Sequence, residues 1–549
     1  MYQRFIGNLP KNSHTEKLLV PIRIAAEEFK KDVGSKGLTF DLYKIFFETG
    51  SRLEYEAEYI LHRKRLNAFM VMCLAGEDYI GELENAIWTI CDEFTWALPA
   101  HLGGLPVAEH FRRIDLFAAE TALMLSETLS LLEDKLNPMV AERMRFELLR
   151  RVIEPYKAGT AHISLHANWA AVTMAGIAAA VLYICEKEEA TALIPQMVLH
   201  MQKFLDSFQE DGCCLEGPLY WEYGFSHFCM FADYLFHYTK GEINLMQDEK
   251  VHNIALYRQK VTLEPDKVIP FADSCHIYKY HVGLSHFLAK QYDDVLPIFE
   301  ENEVTFEEDL RQRFGSMIRD FYWYDEHIYG KNLPNGKYGF TDSMQTVFRK
   351  DKFVLAVKGG HNDEPHNHND LGSFVLFADG QFILDDPGWS EYEDGYFGAN
   401  RYHHICTSSL GHSVPIINGK TQIPGKDAKT ILLENTETHV KLDVSAAYGE
   451  IFIRDFSVTE EGVTITDTFD ETAEVTERLI TRIKPEVKGD TVTIGNWTIT
   501  ASGAEFSGIT EQVFHPRKNI VAWDTADSDL MYQIDFKVVN SEKVIFSIK

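Results

Sequence analysis

The sequence has no CxxC pair, no apolar run of membrane length and no excess of positive charge. Its eight cysteines (Cys73, Cys91, Cys185, Cys213, Cys214, Cys229, Cys275 and Cys406) are too scattered for a zinc ribbon or a disulfide scaffold. They read as free thiols, mostly buried. A membrane span needs roughly 20 predominantly apolar residues, and no stretch approaches that. The opening residues, MYQRFIGNLPKNSHTEKLLV, lack a basic segment followed by an apolar one. That predicts no secretory signal and a cytoplasmic protein. A net charge of −30 argues against nucleic acid or an anionic membrane surface as partner. It also opposes a long polyanion, unless the binding site carries its own positive field.

What is present is length and apolar content: 549 residues, 45% of them hydrophobic. That is too long for one compact unit and predicts two or three domains. Up to about residue 335 the pattern is helical. Residues 114–136 carry apolar side chains at helical spacing. Asn137 and Pro138 read as N-cap and first helical residue of a helix over 137–153. Residues 168–190 are apolar on nearly every side, as in a buried helix, and another helix is expected over 194–208. Long helices with short connections suggest antiparallel pairs.

Beyond 335 the texture changes to alternating β-branched and aromatic residues. Asp379-Gly380, Glu461-Gly462 and Gly495-Asn496 each sit between strand-like runs and predict hairpins. The expectation is a helical domain over 1–335 and an antiparallel β-sandwich of about two large sheets over 336–549. No low-complexity linker separates them, so they are expected to meet, and such a junction commonly holds a ligand cleft.

Four stretches carry candidate chemistry. In 361-HNDEPHNHNDLGSF-374, His366 and His368 stand two apart, which on a strand would place both on one face. Asp386 before a Pro-Gly turn and His412 downstream would complete a set suited to zinc, with a fourth position for water. A polar loop satisfied by its own hydrogen bonds is the plainer alternative. In 216-EGPLYWEYGFSHF-228, Tyr220, Trp221 and Tyr223 follow a Gly-Pro break. Such aromatics are usually core, but a Tyr at a helix start can face a cleft and donate a proton. In 162-HISLHANWAAV-172, Asn168 is either a helix cap or an amide donor to a carboxylate. In 92-DEFTWALPAHLGG-104, Trp96 and His101 suit sugar stacking, and packing is an equal alternative for Trp96.

Taken together, WALPAH, NWAAVTMAGI, EGPLYWEYG, HNHNDLGSFVLFADGQFILDDPG and GHSVPIING resemble the heparinase II/III-like polysaccharide lyases. They span residues from about 90 to 420 in that family's order. The resemblance implies an incomplete α/α toroid followed by a β-sandwich. It implies that Asn168 neutralises a uronate carboxylate, that Tyr220 and His366 are catalytic, and that Tyr223 binds substrate; Trp96, His101, Trp169 and Arg401 are expected to bind substrate beside it. His368, Asp386 and His412 become ligands of a structural zinc. The chain departs from the family at His412-Ser413-Val414, where many relatives have His-Asn-Thr, and His403 and His404 compete for the ligand role. Trp169 stands where some relatives have His.

The implied activity is that of a carbon–oxygen lyase: β-elimination of a uronic-acid-containing glycan, leaving a 4,5-unsaturated uronate. The negative charge and missing export signal favour a short imported oligosaccharide, with Arg401 at the sandwich rim supplying local positive charge. A homodimer is compatible with the sequence. Two rivals stand beside it. A glycoside hydrolase would need two paired carboxylates, with Glu216, Glu222 and Asp370 as candidates. A non-catalytic sugar-binding protein would need neither Tyr220 nor His366 for anything but affinity.

Overall fold

The computed structural model describes residues 5, 7–32, 37–307, 313–390, 396–398, 400–514, 530–539 and 541–549. The chain divides into two compact units. One comprises Met1–Phe208, Trp221–His252 and Lys279–Lys331; the other comprises Gln209–Tyr220, Asn253–Tyr278 and Asn332–Lys549. Against the expected single boundary near 335, two earlier segments belong to the second unit, because each is held there by contacts distant in sequence.

The first unit is helical. Helix α1 (Leu116–Leu132) is capped by Asp115, whose side chain accepts from Ala118 N–H. Asn137 caps Pro138–Leu148 as the sequence predicts. Helix α2 (Ala167–Ile184) is long and apolar enough to cross a membrane by composition, contrary to the expectation that no segment is. Ala170 through Tyr183 are nevertheless buried, as in the core helix of a globular unit. Gly176 permits its close approach to α1: a Cβ there would lie 2.2 Å from the Ala119 carbonyl oxygen. The next helix starts at Lys187, earlier than expected, and runs to Leu205 with Pro195 inside it. Glu188 and Glu189 in its first turn favour that start through the helix dipole. Helix α3 (Pro218–Tyr238) begins straight after the Gly-Pro break.

The second unit is built of antiparallel sheets. Instead of about two large sheets there are, among the described residues, sheets of eight, five and four strands and three two-stranded pairs, one of which lies in the helical unit. Phe374–Ala378 pairs with Gln381–Leu384 across Asp379 and Gly380, both at positive φ (53° and 73°). That is the geometry a two-residue hairpin needs. Thr491–Ile494 pairs with Trp497–Ser502 across Gly495-Asn496, with Gly495 alone at positive φ (58°). The turn at Glu461-Gly462 is longer, from Val458 to Val463. The interior faces meet in one core, including Phe374, Leu376, Phe456, Leu479, Ile534 and Phe546.

Candidate active site

In the second unit the chain leaves its strand at Asn362 and crosses a turn before Phe374. His366 lies in that turn with φ of 57°, a left-handed conformation that costs a non-glycine residue about 1–3 kcal/mol. His366 and His368 are therefore not brought together by strand alternation. They are joined by a third residue, Asp273. His366 Nδ1 donates to Asp273 Oδ2 (2.8 Å), and His368 Nε2 donates to Asp273 Oδ1 (3.0 Å). Tyr396 hydroxyl donates to Oδ1 (2.6 Å) and Arg401 Nη2 to Oδ2 (3.1 Å). Burial opposes charge on Asp273, but the bonds from His366 and His368 and the charge of Arg401 hold it well below the usual carboxylate range. The ring of Tyr220 lies against that of His366, centroids 5.1 Å apart.

His368, Asp386 and His412 are fully buried, and one donor atom from each lies within 4.8 Å of the others. His368 Nδ1 has no hydrogen-bond partner among the described residues, while its other nitrogen is held by Asp273. His412 Nε2 donates to the Cys406 carbonyl (2.7 Å), which turns Nδ1 toward Asp386 Oδ2 (3.0 Å). Both nitrogens of His412 thus face acceptors. Burial opposes charge on His412, yet Asp386 and Asp370 raise its pKa. The pocket favours positive charge, and two imidazoles and one carboxylate suit zinc. His403 is exposed and the His404 ring lies tilted against Tyr396, and neither joins the trio.

In the helical unit, Asn168 is the second residue of α2. The cap position belongs to His166, with no side-chain cap bond, so Asn168 is not the cap that its sequence position suggests. Ala167 before it has φ of 43°. Gly224 of α3 lies so close that an added Cβ would meet Asn168 Cβ at 3.0 Å. Trp169 is half-buried, with His101 across its edge (4.9 Å), His166 stacked on it and the Arg113 guanidinium over its face (5.7 Å). His101 donates from Nδ1 to Asp115 (2.7 Å) and accepts from Arg52 at Nε2 (3.2 Å). Tyr223 is covered by Arg313, 3.4 Å from its ring centre.

Two expectations are corrected. Trp96 is only 2% exposed; its indole N–H donates to the Ile90 carbonyl (2.9 Å) and Arg151 lies over its ring. It is a core residue and cannot stack on a sugar. Arg401 is buried rather than on an open rim, and its guanidinium is engaged by Asp273 and the Asn367 carbonyl. Arg113 beside Trp169, Arg52 beside His101 and Arg313 over Tyr223 are cations next to half-buried aromatic side chains in the helical unit.

Residues 334–537 match the family described as Heparinase II/III-like, C-terminal. That region is a heparinase II/III-like C-terminal domain. Solved structures share the fold across nearly the whole chain. The heparinase III encoded by BT4657 superposes with a TM-score of 0.65 at 13% identity, covering 98% of this chain and 84% of that one. Heparan sulfate lyase HepC from Pedobacter heparinus gives 0.62 at 15%, covering 100% and 85%. The chondroitin AC lyase of Streptomyces coelicolor A3, in complex with chondroitin sulphate, gives 0.57 at 10%, covering 98% and 79%. A search of curated protein sequences finds no match. The fold expected from the sequence, an incomplete α/α toroid followed by an antiparallel β-sandwich, is the one these structures have.

Within the second unit, the sequence reading names His366, His368, Asp386 and His412 but misses Asp273 and Tyr396. No spacing could reveal Asp273, which lies 93 residues before His366 in 269-IPFADSC-275 and matches no motif. Glu216 also gathers here. Its carboxyl is raised above the usual range by burial, with the charge of His366 pulling it down and that of Asp273 pushing it up.

Proposed function

We propose that this protein is a lyase that cleaves uronic-acid-containing glycans by β-elimination and leaves 4,5-unsaturated uronate ends. The observation that carries this is the Tyr220–His366 pair, with His366 tied to a buried carboxylate. The reading is also supported by the lyases that share the fold.

Elimination needs the C5 proton removed, the C4–O bond broken and a C4=C5 double bond formed. His366, with its Nδ1 proton on Asp273, carries its lone pair on Nε2 and takes the C5 proton. Tyr220, as the neutral phenol, gives its proton to the leaving 4-oxygen. The uronate carboxylate gains charge as the proton leaves, and the amide of Asn168 donates to it there. Asn168 makes no side-chain hydrogen bond among the described residues, and Gly224 of α3 lies against it. Zinc, when bound, would be held by His368, Asp386 and His412 and would supply a structural cross-link under the His366 turn. Trp169, His101 and Tyr223 are assigned to sugar binding, with Arg113 the nearby cation for an acidic group.

The net charge of −30 favours a short oligosaccharide over a long polyanion, and the proposal is of cytoplasmic action on imported fragments. A hydrolase is disfavoured by its own candidates. Glu222 accepts from the backbone of His281 (2.8 Å), and Asp370 is held by Lys358 (2.6 Å). The test is a screen of uronide oligosaccharides by the ultraviolet absorbance of the new double bond. Absorbance in the wild type and its loss in Tyr220→Phe is expected. New reducing ends without absorbance would overturn the proposal.

A further inference from the structure

Asp273 divides its two oxygens between histidines assigned different work. Oδ2 accepts from His366 and Oδ1 from His368. A carboxylate only accepts, so both bonds place the proton on the histidine nitrogen. That fixes His366 with its lone pair on Nε2, and His368 with its lone pair on Nδ1, the atom left without a hydrogen bond in the buried trio. Tyr396 and Arg401 each add a donor, one to each oxygen, so the carboxylate is held from four directions. The backbone ties the same two segments together: Asp273 N–H donates to the His366 carbonyl (3.2 Å). Ala272 (φ 62°) and His366 (φ 57°) are both left-handed, so each segment is strained at the point where they meet.

We infer that Asp273 is a positioning residue that makes metal retention and the orientation of His366 a single property. One carboxylate cannot rotate to follow His368 without changing what it offers His366. A metal on His368 Nδ1 fixes that ring, the ring fixes the carboxylate, and the carboxylate fixes the tautomer and direction of His366. Histidine ligands commonly use a carboxylate on their far nitrogen in this way, and losing it costs about 10–100-fold in affinity or activity. Here the same group also serves a second histidine. The role of His366 in turnover rests on the lyase reading; the coupling does not.

The test uses the full chain with ¹⁵N-labelled histidine at one fixed pH. Long-range proton–nitrogen spectra are recorded with zinc bound and after removal by a chelator. The expected result is a His366 ring protonated on Nδ1 with zinc, whose nitrogen shifts change when zinc is removed. Asp273→Asn is expected to weaken zinc retention about 10–100-fold and to lower kcat to a similar degree, with KM little changed. Tyr396→Phe, which removes a donor and leaves the carboxylate, should move both quantities less. Unmoved His366 signals on zinc removal would overturn the inference, as would an Asp273→Asn protein that loses only one of the two properties. Should that variant fail to fold, the wild-type spectra decide alone. No unsaturated product from the wild type, with His366 signals that still respond to zinc, would sink the lyase reading and leave the coupling standing.

Discussion

The two units hold their candidate residues in opposite ways. In the helical unit, Asn168, Trp169, His101 and Tyr223 are half-buried and sit at or near helix ends, against one another and a few arginines. In the strand-rich unit, His368, Asp386, His412 and Asp273 are buried and bound to each other through charge-assisted hydrogen bonds. The first arrangement adds little to stability, so its residues can be changed with the fold intact. The second cannot be changed piecemeal, because removing one partner leaves another buried and unpaired, at about 3–5 kcal/mol. Function is separable from folding in the helical unit and entangled with it in the other.

The largest expected effect lies where a half-buried side chain meets the buried network. Tyr220→Phe should lower kcat about 10²–10⁴-fold, the range of general acid–base catalysis, with the circular dichroism spectrum and melting temperature unchanged. A loss of folding instead would place Tyr220 with the entangled set. Trp96→Ala should destabilise the protein by about 3–5 kcal/mol, read by chemical denaturation, while kcat per folded molecule stays near the wild-type value. A selective loss of turnover would restore Trp96 to the binding residues. Asn168→Ala should cost about 10²–10³-fold in kcat with stability preserved, since its amide holds nothing in the fold. A rise in KM alone would make it a binding group rather than a stabiliser of developing charge. Trp169→Ala is the mildest, weakening KM by an amount equivalent to about 0.5–1.5 kcal/mol of aromatic contact. No change in KM would remove Trp169 from the sugar-binding set.

Local chemistry was readable from the sequence and long-range chemistry was not. The Asn137-Pro138 cap and the Asp379-Gly380 hairpin are decided within a few residues, and the structure has both. The break after Ile184 was missed because the Glu-Lys-Glu-Glu that soon follows favours helix and carries no glycine or proline to mark a stop. The number of sheets was underestimated because strand order is set by pairings far apart, such as Val463–Phe469 with Lys543–Ile548. Trp96 shows the limit at a single residue: an indole in the core and one in a cleft have the same neighbours in sequence. His366 and His368 were linked by an alternation argument that the backbone does not follow, since the segment is a turn. The residue that links them, Asp273, carries no local signal.

The most direct measurement of the central claim is the mass of the products. Elimination splits the glycan without adding water, so the fragment masses must sum to that of the substrate, and one fragment must be an unsaturated uronate. Wild-type protein incubated with a uronide oligosaccharide and analysed by mass spectrometry should give that sum. Fragments whose total exceeds the substrate by one water would identify a hydrolase and contradict the account.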